Sequence, residues 1–266
     1  MMFAMGLRLS FTRLIEAFSG SHGMVAMVLA TNYLFFPVLT LLVILLAGVP
    51  PYVAVGFLIL GVCPAAPYGP PFTALAKGNF ALSTGLMILL SGTSVFLAPL
   101  LLHIMIPLIP SGNFLLNIDP WRLMGSLLFV QLLPLGAGMA IGQWKPILAQ
   151  RIVIPAGKVS KLLNFLMITL IAVLQLEIVM NTTLKTFLLI ILMVSCGVIM
   201  GWFSWKQSRE NRISSSIITA MRNMSLSMGI AATSFAGTPI VTTVLVYSFI
   251  AGFGLLLFSL LLRWSQ

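Results

Sequence analysis

Charge is what this sequence has least of. Only 7% of its 266 residues are Asp, Glu, Lys or Arg, against roughly 25% in a soluble globular domain. A water-soluble protein of this length has no way to cover its surface with so few charges, so a soluble enzyme is excluded. Acids are scarcer still, with four Asp+Glu beside 14 Lys+Arg. The two cysteines, Cys63 and Cys196, both fall in apolar stretches. They offer neither a disulfide framework nor metal-ligand spacing, and both read as packing residues. No pair of intramembrane acids, no H-E-x-x-H and no Ser/His pairing at depth is present, which leaves an intramembrane enzyme without a catalytic set.

What fills the sequence is apolar: 60% of residues are hydrophobic and the mean hydropathy is +1.13. At about 20 residues per span, the length accommodates roughly eight to ten membrane helices. The net charge of +10 would suggest nucleic acid in a soluble protein. Here it reports topology, because basic residues are retained in cytoplasmic loops. The partner is the lipid bilayer, and no nucleic acid is expected.

Residues 1–9 are apolar but too short to span, and they read as the tail of a span whose beginning is absent rather than as a signal peptide. Residues 11–22 are amphipathic and read as an interfacial connector. Full spans are expected at 24–49, 52–78, 79–108, 121–143, 161–181, 185–205, 211–236 and 238–263, about nine spans with the first incomplete. Asp119-Pro120 is a good helix start, an acid at the cap and proline at the first helical position. Lys145 to Lys161 reads as an amphipathic cytoplasmic loop resting on anionic headgroups. Glu177 reads as an interfacial side chain and His103 as a polar contact near a span end.

Two spans are abnormal. In 52–78 the apolar run stops at Cys63-Pro64-Ala65-Ala66-Pro67-Tyr68-Gly69-Pro70-Pro71, where so many prolines deny the chain a continuous helix and leave carbonyls free. In 211–236, Arg222-Asn223 falls near the middle, and an arginine at mid-bilayer faces a cavity or a partner. If both segments cross, Arg8, Arg13, Lys77, Lys145, Arg151, Lys158, Lys161, Lys206, Arg209, Arg212 and Arg263 lie on one side and Arg122 and Lys185 on the other, eleven against two. If both re-enter, the split becomes five against eight. The first obeys the positive-inside rule far better, so both are read as crossings, with the C-terminus cytoplasmic. Each broken segment is preceded by one full span and followed by one long helix. That is the pattern of an inverted repeat, about 1–108 and 119–263 of a single transporter domain, with the breaks meeting near the midplane.

Several stretches resemble the bile acid:sodium symporter family. Gly61-Val62-Cys63-Pro64-Ala65-Ala66 and Thr73-Ala74-Leu75-Ala76-Lys77-Gly78-Asn79-Phe80-Ala81-Leu82-Ser83 are similar to its Cys-Pro-Gly-Gly break, basic turn and "ALS" helix start. Met5-Gly6-Leu7-Arg8-Leu9, Asn32-Tyr33-Leu34-Phe35-Phe36-Pro37 and Arg222-Asn223-Met224-Ser225-Leu226 resemble its "MGL-x-L", "Q-x-x-x-x-P" and "Q-N-S-G-L". The resemblance implies an all-α polytopic membrane protein with a panel of helices, a core holding two crossed discontinuous helices, and alternating access for organic anions, usually sodium-driven. It also implies an integral membrane location, in a bacterial inner membrane or another plasma membrane.

The sequence departs from that pattern where sodium would bind. A Ser-Asn pair is replaced by Gly69-Pro70, a Thr by Met87, an acid by Ile218 and a Gln by Arg222; Asn32 and Ser83 are the residual positions. Sodium wants oxygen ligands, preferably a carboxylate among them, so sodium coupling is not expected and no other cofactor is called for. The substrate-contact candidates are Arg222, Asn223, Asn32, Tyr68, Thr73 and Ser83 around the break at Cys63, Pro64, Pro67, Gly69, Pro70 and Pro71. The reading is a secondary transporter for a small organic anion. A channel, or a degenerate or truncated relative without coupled transport, is the alternative.

The charge split makes a topological prediction. A reporter active only in the cytoplasm, fused after Gln266, should be active; activity of an exported reporter at that site would overturn the map.

Overall fold

The computed structural model describes residues 2–7, 22–110, 121, 125, 128–129, 133–174, 183–206, 208–235 and 237–264. The expectations placed on Arg8, Arg13, Asp119-Pro120, Arg122 and Glu177, and on the connector up to residue 21, lie outside these residues. Among the described residues every element is helical: α1 (Met2–Gly6), α2 (His22–Ala47), α3 (Pro51–Val62), α4 (Gly69–Leu75), α5 (Phe80–Met105), α6 (Leu133–Trp144), α7 (Pro146–Leu174), α8 (Leu184–Ser204), α9 (Arg209–Ala220), α10 (Met224–Ser234) and α11 (Pro239–Trp264). By length and composition, α2, α8, α11 and α5 with its short 3₁₀ extension to Leu108 can each cross a membrane.

Local chemistry explains where these helices change course. Within α2 the turn Thr31–Phe35 is a π-helix, in which the Phe36 N–H reaches back to the Thr31 carbonyl. Pro37 has no N–H, and its ring crowds the carbonyl four residues earlier, that of Tyr33; the wider turn accommodates both. α3 is buried on every side from Ala54 to Val62, as an evenly apolar helix must be. Its partner α4 starts at Gly69 with Pro70 and Pro71 in the first turn, where a missing N–H costs nothing. The break is therefore Cys63–Tyr68, shorter than the sequence suggested: Gly69, Pro70 and Pro71 open the next half-helix.

A second difference concerns residues 144–160. The expected loop is helix from Pro146 onward, continuous with the following apolar stretch and passing through Pro155. Arg151 and Lys158 are exposed along it, and Lys145 is exposed just ahead of it. An amphipathic stretch attached to a span keeps its backbone bonded by staying helical, so the basic residues ride on a helix rather than on a loop.

The helices pack in two groups. α1, α6 and α7 pack on one another and meet the rest chiefly through α7 against α11, while α2–α5 and α8–α11 form the second group. The large buried cluster belongs to the second group and includes Phe36, Phe57, Leu102, Ile190, Leu226, Ile230 and Tyr247. Within it Phe57 and Tyr247 meet edge-to-face, with centroids 5.5 Å apart.

α8 and α9 touch backbone to backbone. A Cβ on Gly201 would lie 2.5 Å from the Ser215 carbonyl oxygen and 2.6 Å from Ser216 Cα, and one on Gly197 would lie 2.8 Å from Ala220 Cα. Small residues four apart permit this approach in a membrane, where association rests on close contact rather than on expelling water. The closeness makes a prediction. Gly201→Val should lower the detergent melting midpoint by the equivalent of roughly 3 kcal/mol, since backbone atoms cannot rotate away. Gly254→Ala, where a Cβ meets nothing within 4 Å, should leave it unchanged or slightly raised.

Candidate functional site

The two breaks cross and bond to each other. Pro64 and Arg222 form an isolated antiparallel bridge. The Ala65 and Ala66 N–H groups donate to the Met221 carbonyl at 3.0 and 3.3 Å, and the Asn223 N–H donates to the Cys63 carbonyl at 2.8 Å. Ser91, from α5, donates its hydroxyl to the Ala65 carbonyl at 3.0 Å. Ala65 takes a left-handed φ of 63° to make this turn, a conformation that costs a non-glycine residue about 1 kcal/mol or more. The carbonyls expected to be freed by the prolines are in use: those of Gly61, Cys63, Ala65 and Ala66 all accept hydrogen bonds. A ligand at this crossing therefore meets side chains more than bare carbonyls.

Arg222 sits at the crossing, only 4% exposed. Its guanidinium stacks on the Phe36 ring, 3.5 Å from the centroid, and Nη1 donates to the Gly61 carbonyl at 3.3 Å. Nε and Nη2 have no hydrogen-bond partner. Glu210 is the one acid among the described residues, and it opens α9. Twelve residues separate it from Arg222 along the chain, about 18 Å at helical rise. The cation is thus held by a ring face and a neutral carbonyl.

A cavity of about 360 Å³ opens beside Arg222, walled by Tyr68 from the first break, Phe72 from α4, Met221 from the second break, Met224 from the start of α10, and Tyr247 and Phe253 from α11. Tyr247 is buried and its hydroxyl has no hydrogen-bond partner. Of the six substrate-contact candidates, Arg222 and Tyr68 line this cavity; the other four do not. Asn223 caps α10, accepting the Leu226 N–H at 3.1 Å, with its Nδ2 left unpartnered. Asn32, in the π turn, donates to the Val28 carbonyl and to Thr219 Oγ1 at 2.9 and 3.2 Å, and its Oδ1 has no partner. Ser83 donates to the Phe80 carbonyl at 2.9 Å. Thr73 is buried at the far end of α4, against Gly78.

Of the positions that the resemblance would give to sodium, Met87 and Ile218 are apolar, while Asn32 and Ser83 keep an oxygen. A Cβ on Gly69 would lie 2.4 Å from Ile218 Cδ1. Ile218 and Met87 belong to one buried apolar cluster with Tyr33, Ala65 and Leu86. Ser83 spends its hydroxyl on its own helix, and no group of three His, Cys, Asp or Glu occurs among the described residues.

Three participants escaped the sequence reading. Phe36 carries the guanidinium, Tyr247 shares its cavity, and Ser91 secures the break. Phe36 stands within the quoted Asn32–Pro37 stretch, and the proline beside it was the available signal. Tyr247 and Ser91 had none, because each is one polar group in a long apolar helix.

A charge kept in so apolar a place makes a stability prediction. Replacing buried ionic groups with apolar ones of similar volume is often stabilising by about 1–4 kcal/mol. Arg222→Met should therefore melt at or above the wild-type midpoint in ligand-free detergent. Asn223→Ala, which removes the cap of α10, should melt lower by the equivalent of about 1 kcal/mol. Arg222→Met melting well below wild type would mean that the arginine is a structural strut.

A search of curated proteins finds no match to this sequence. A family model does match, that of the Sodium Bile acid symporter family, over residues 1–182. The matched stretch contains the first break, its proline turn and the helix that follows, and the helical architecture built on apolar spans agrees with it. The chain is an integral membrane protein of the sodium bile acid symporter family, a family of transporters.

Proposed function

We propose that this protein carries an organic anion across the membrane by alternating access, without sodium, using Arg222 as the fixed positive charge of the site. The observation that carries this reading is the chemistry of the unpartnered groups at the crossing. On the cavity, Arg222 Nε and Nη2 are donors only and the Tyr247 hydroxyl donates as readily as it accepts; Asn223 Nδ2, outside the cavity, is a further unpartnered donor. Donors gathered around a buried guanidinium suit an anion and repel a cation. The walls contributed by Tyr68, Phe72, Met224 and Phe253 suit an apolar body attached to that anion. Filling of the cation positions by Ile218 and Met87 supports independence from sodium.

In this reading the segments 1–108 and 119–263 are inverted repeats. Each brings one broken helix to the crossing, and the α1–α6–α7 group is the frame against which the crossing moves. The C-terminus faces the cytoplasm of a bacterial inner membrane or another plasma membrane. A guanidinium keeps its charge at any physiological pH and presents a planar fork of donors, so the site offers a carboxylate or sulfonate its charge without a co-bound cation.

In proteoliposomes, uptake of a labelled amphipathic anion should be unchanged when sodium is replaced by choline. Arg222→Gln should reduce it to background while the protein still folds and inserts. Uptake that tracks sodium steeply, or an Arg222→Gln variant that transports normally, would sink the reading.

A further inference from the structure

The surroundings of Arg222 bear on how the carrier returns. The guanidinium is 4% exposed, two of its nitrogens are unpartnered, and its contacts among the described residues are the Phe36 ring and one neutral carbonyl. No described residue places a carboxylate beside it; Glu210 is at the other end of α9. The surrounding groups, Phe36, Cys63, Leu226 and Tyr247, belong to the main apolar cluster. Among the described residues, then, no carboxylate offsets the charge of Arg222, which lies in a region of low polarity.

We infer that the carrier is an obligatory anion exchanger. Alternating access requires the site to pass through a state closed to water on both sides. A lone guanidinium loses its remaining hydration in that state, and an isolated buried charge is among the most costly arrangements a protein can hold. A bound anion cancels the charge and satisfies the unpartnered Nε and Nη2, so the loaded site passes through the closed state readily. The empty site does not. Each anion carried one way must then be followed by another carried back, and the anion gradients set the direction with no coupling ion. A one-for-one swap of monoanions also moves no net charge, so membrane voltage has no purchase on it. This inference rests on the anion-carrier reading above and adds its mode of turnover.

The test uses the full-length protein in proteoliposomes, with tritiated naphthalene-2-sulfonate as the external probe. Its sulfonate stays ionised, so it does not cross the bilayer as a neutral acid. Potassium on both sides with valinomycin removes any voltage that would limit a net flux. Vesicles preloaded with unlabelled naphthalene-2-sulfonate should take up label about tenfold or more faster than empty vesicles, since each factor of ten reflects only a modest difference in barrier. A valinomycin-imposed potassium potential should leave the exchange rate unchanged. Equal rates into empty and preloaded vesicles would overturn the exchange mechanism and leave the carrier reading intact, as would a steep response to voltage. No protein-dependent flux in either vesicle would overturn the carrier reading and the exchange with it.

Discussion

Backbone polar groups buried away from water must find partners within the protein, and this constraint shapes the middle of the molecule. Two helices stop in its buried interior, and each exposes N–H and C=O groups that would cost several kcal/mol apiece if left unpaired there. They solve the problem together: Cys63, Ala65 and Ala66 bond to Met221 and Asn223 in a short antiparallel crossing. Ser91 and the Asn223 cap take up further groups. Neither break is viable alone, so the crossing is a single object made by two distant segments. The strain in Ala65, held at positive φ, persists because the hydrogen bonds around it leave no alternative.

That arrangement fixes what the site can do. Because the two breaks use one another's backbone, the carbonyls that would favour a cation are largely consumed. What remains available are side-chain donors, Arg222 foremost. The guanidinium is kept despite the cost of its burial, on a ring that Pro37 and the π turn hold in place. Close packing elsewhere, as at Gly197 and Gly201 against α9, supports the position of the second break from behind.

Much of this was legible in the sequence. The proline-rich stretch from Pro64 declared the first break, since proline cannot continue a helix interior. The apolar runs placed α2, α5, α8 and α11 within a few residues, because a span is a property of composition and length. The residues 144–160 were misread as loop because charge was taken as a sign of irregular chain, when a helix edge carries charge equally well. Gly69, Pro70 and Pro71 were assigned to the break because proline signals both the end and the first turn of a helix.

By itself the sequence determined the membrane class, the location of both breaks, the family and the presence of an arginine at depth. These follow from local chemistry: hydropathy, proline's missing N–H and the scarcity of acids. Only the tertiary structure decided that the breaks bond to each other and that Phe36 lies under Arg222. It alone brought Tyr247 to the same cavity and left Asn32, Thr73 and Ser83 outside it. The first two relations join residues more than a hundred positions apart, and no periodicity along a uniformly apolar helix says which of its faces will meet which partner.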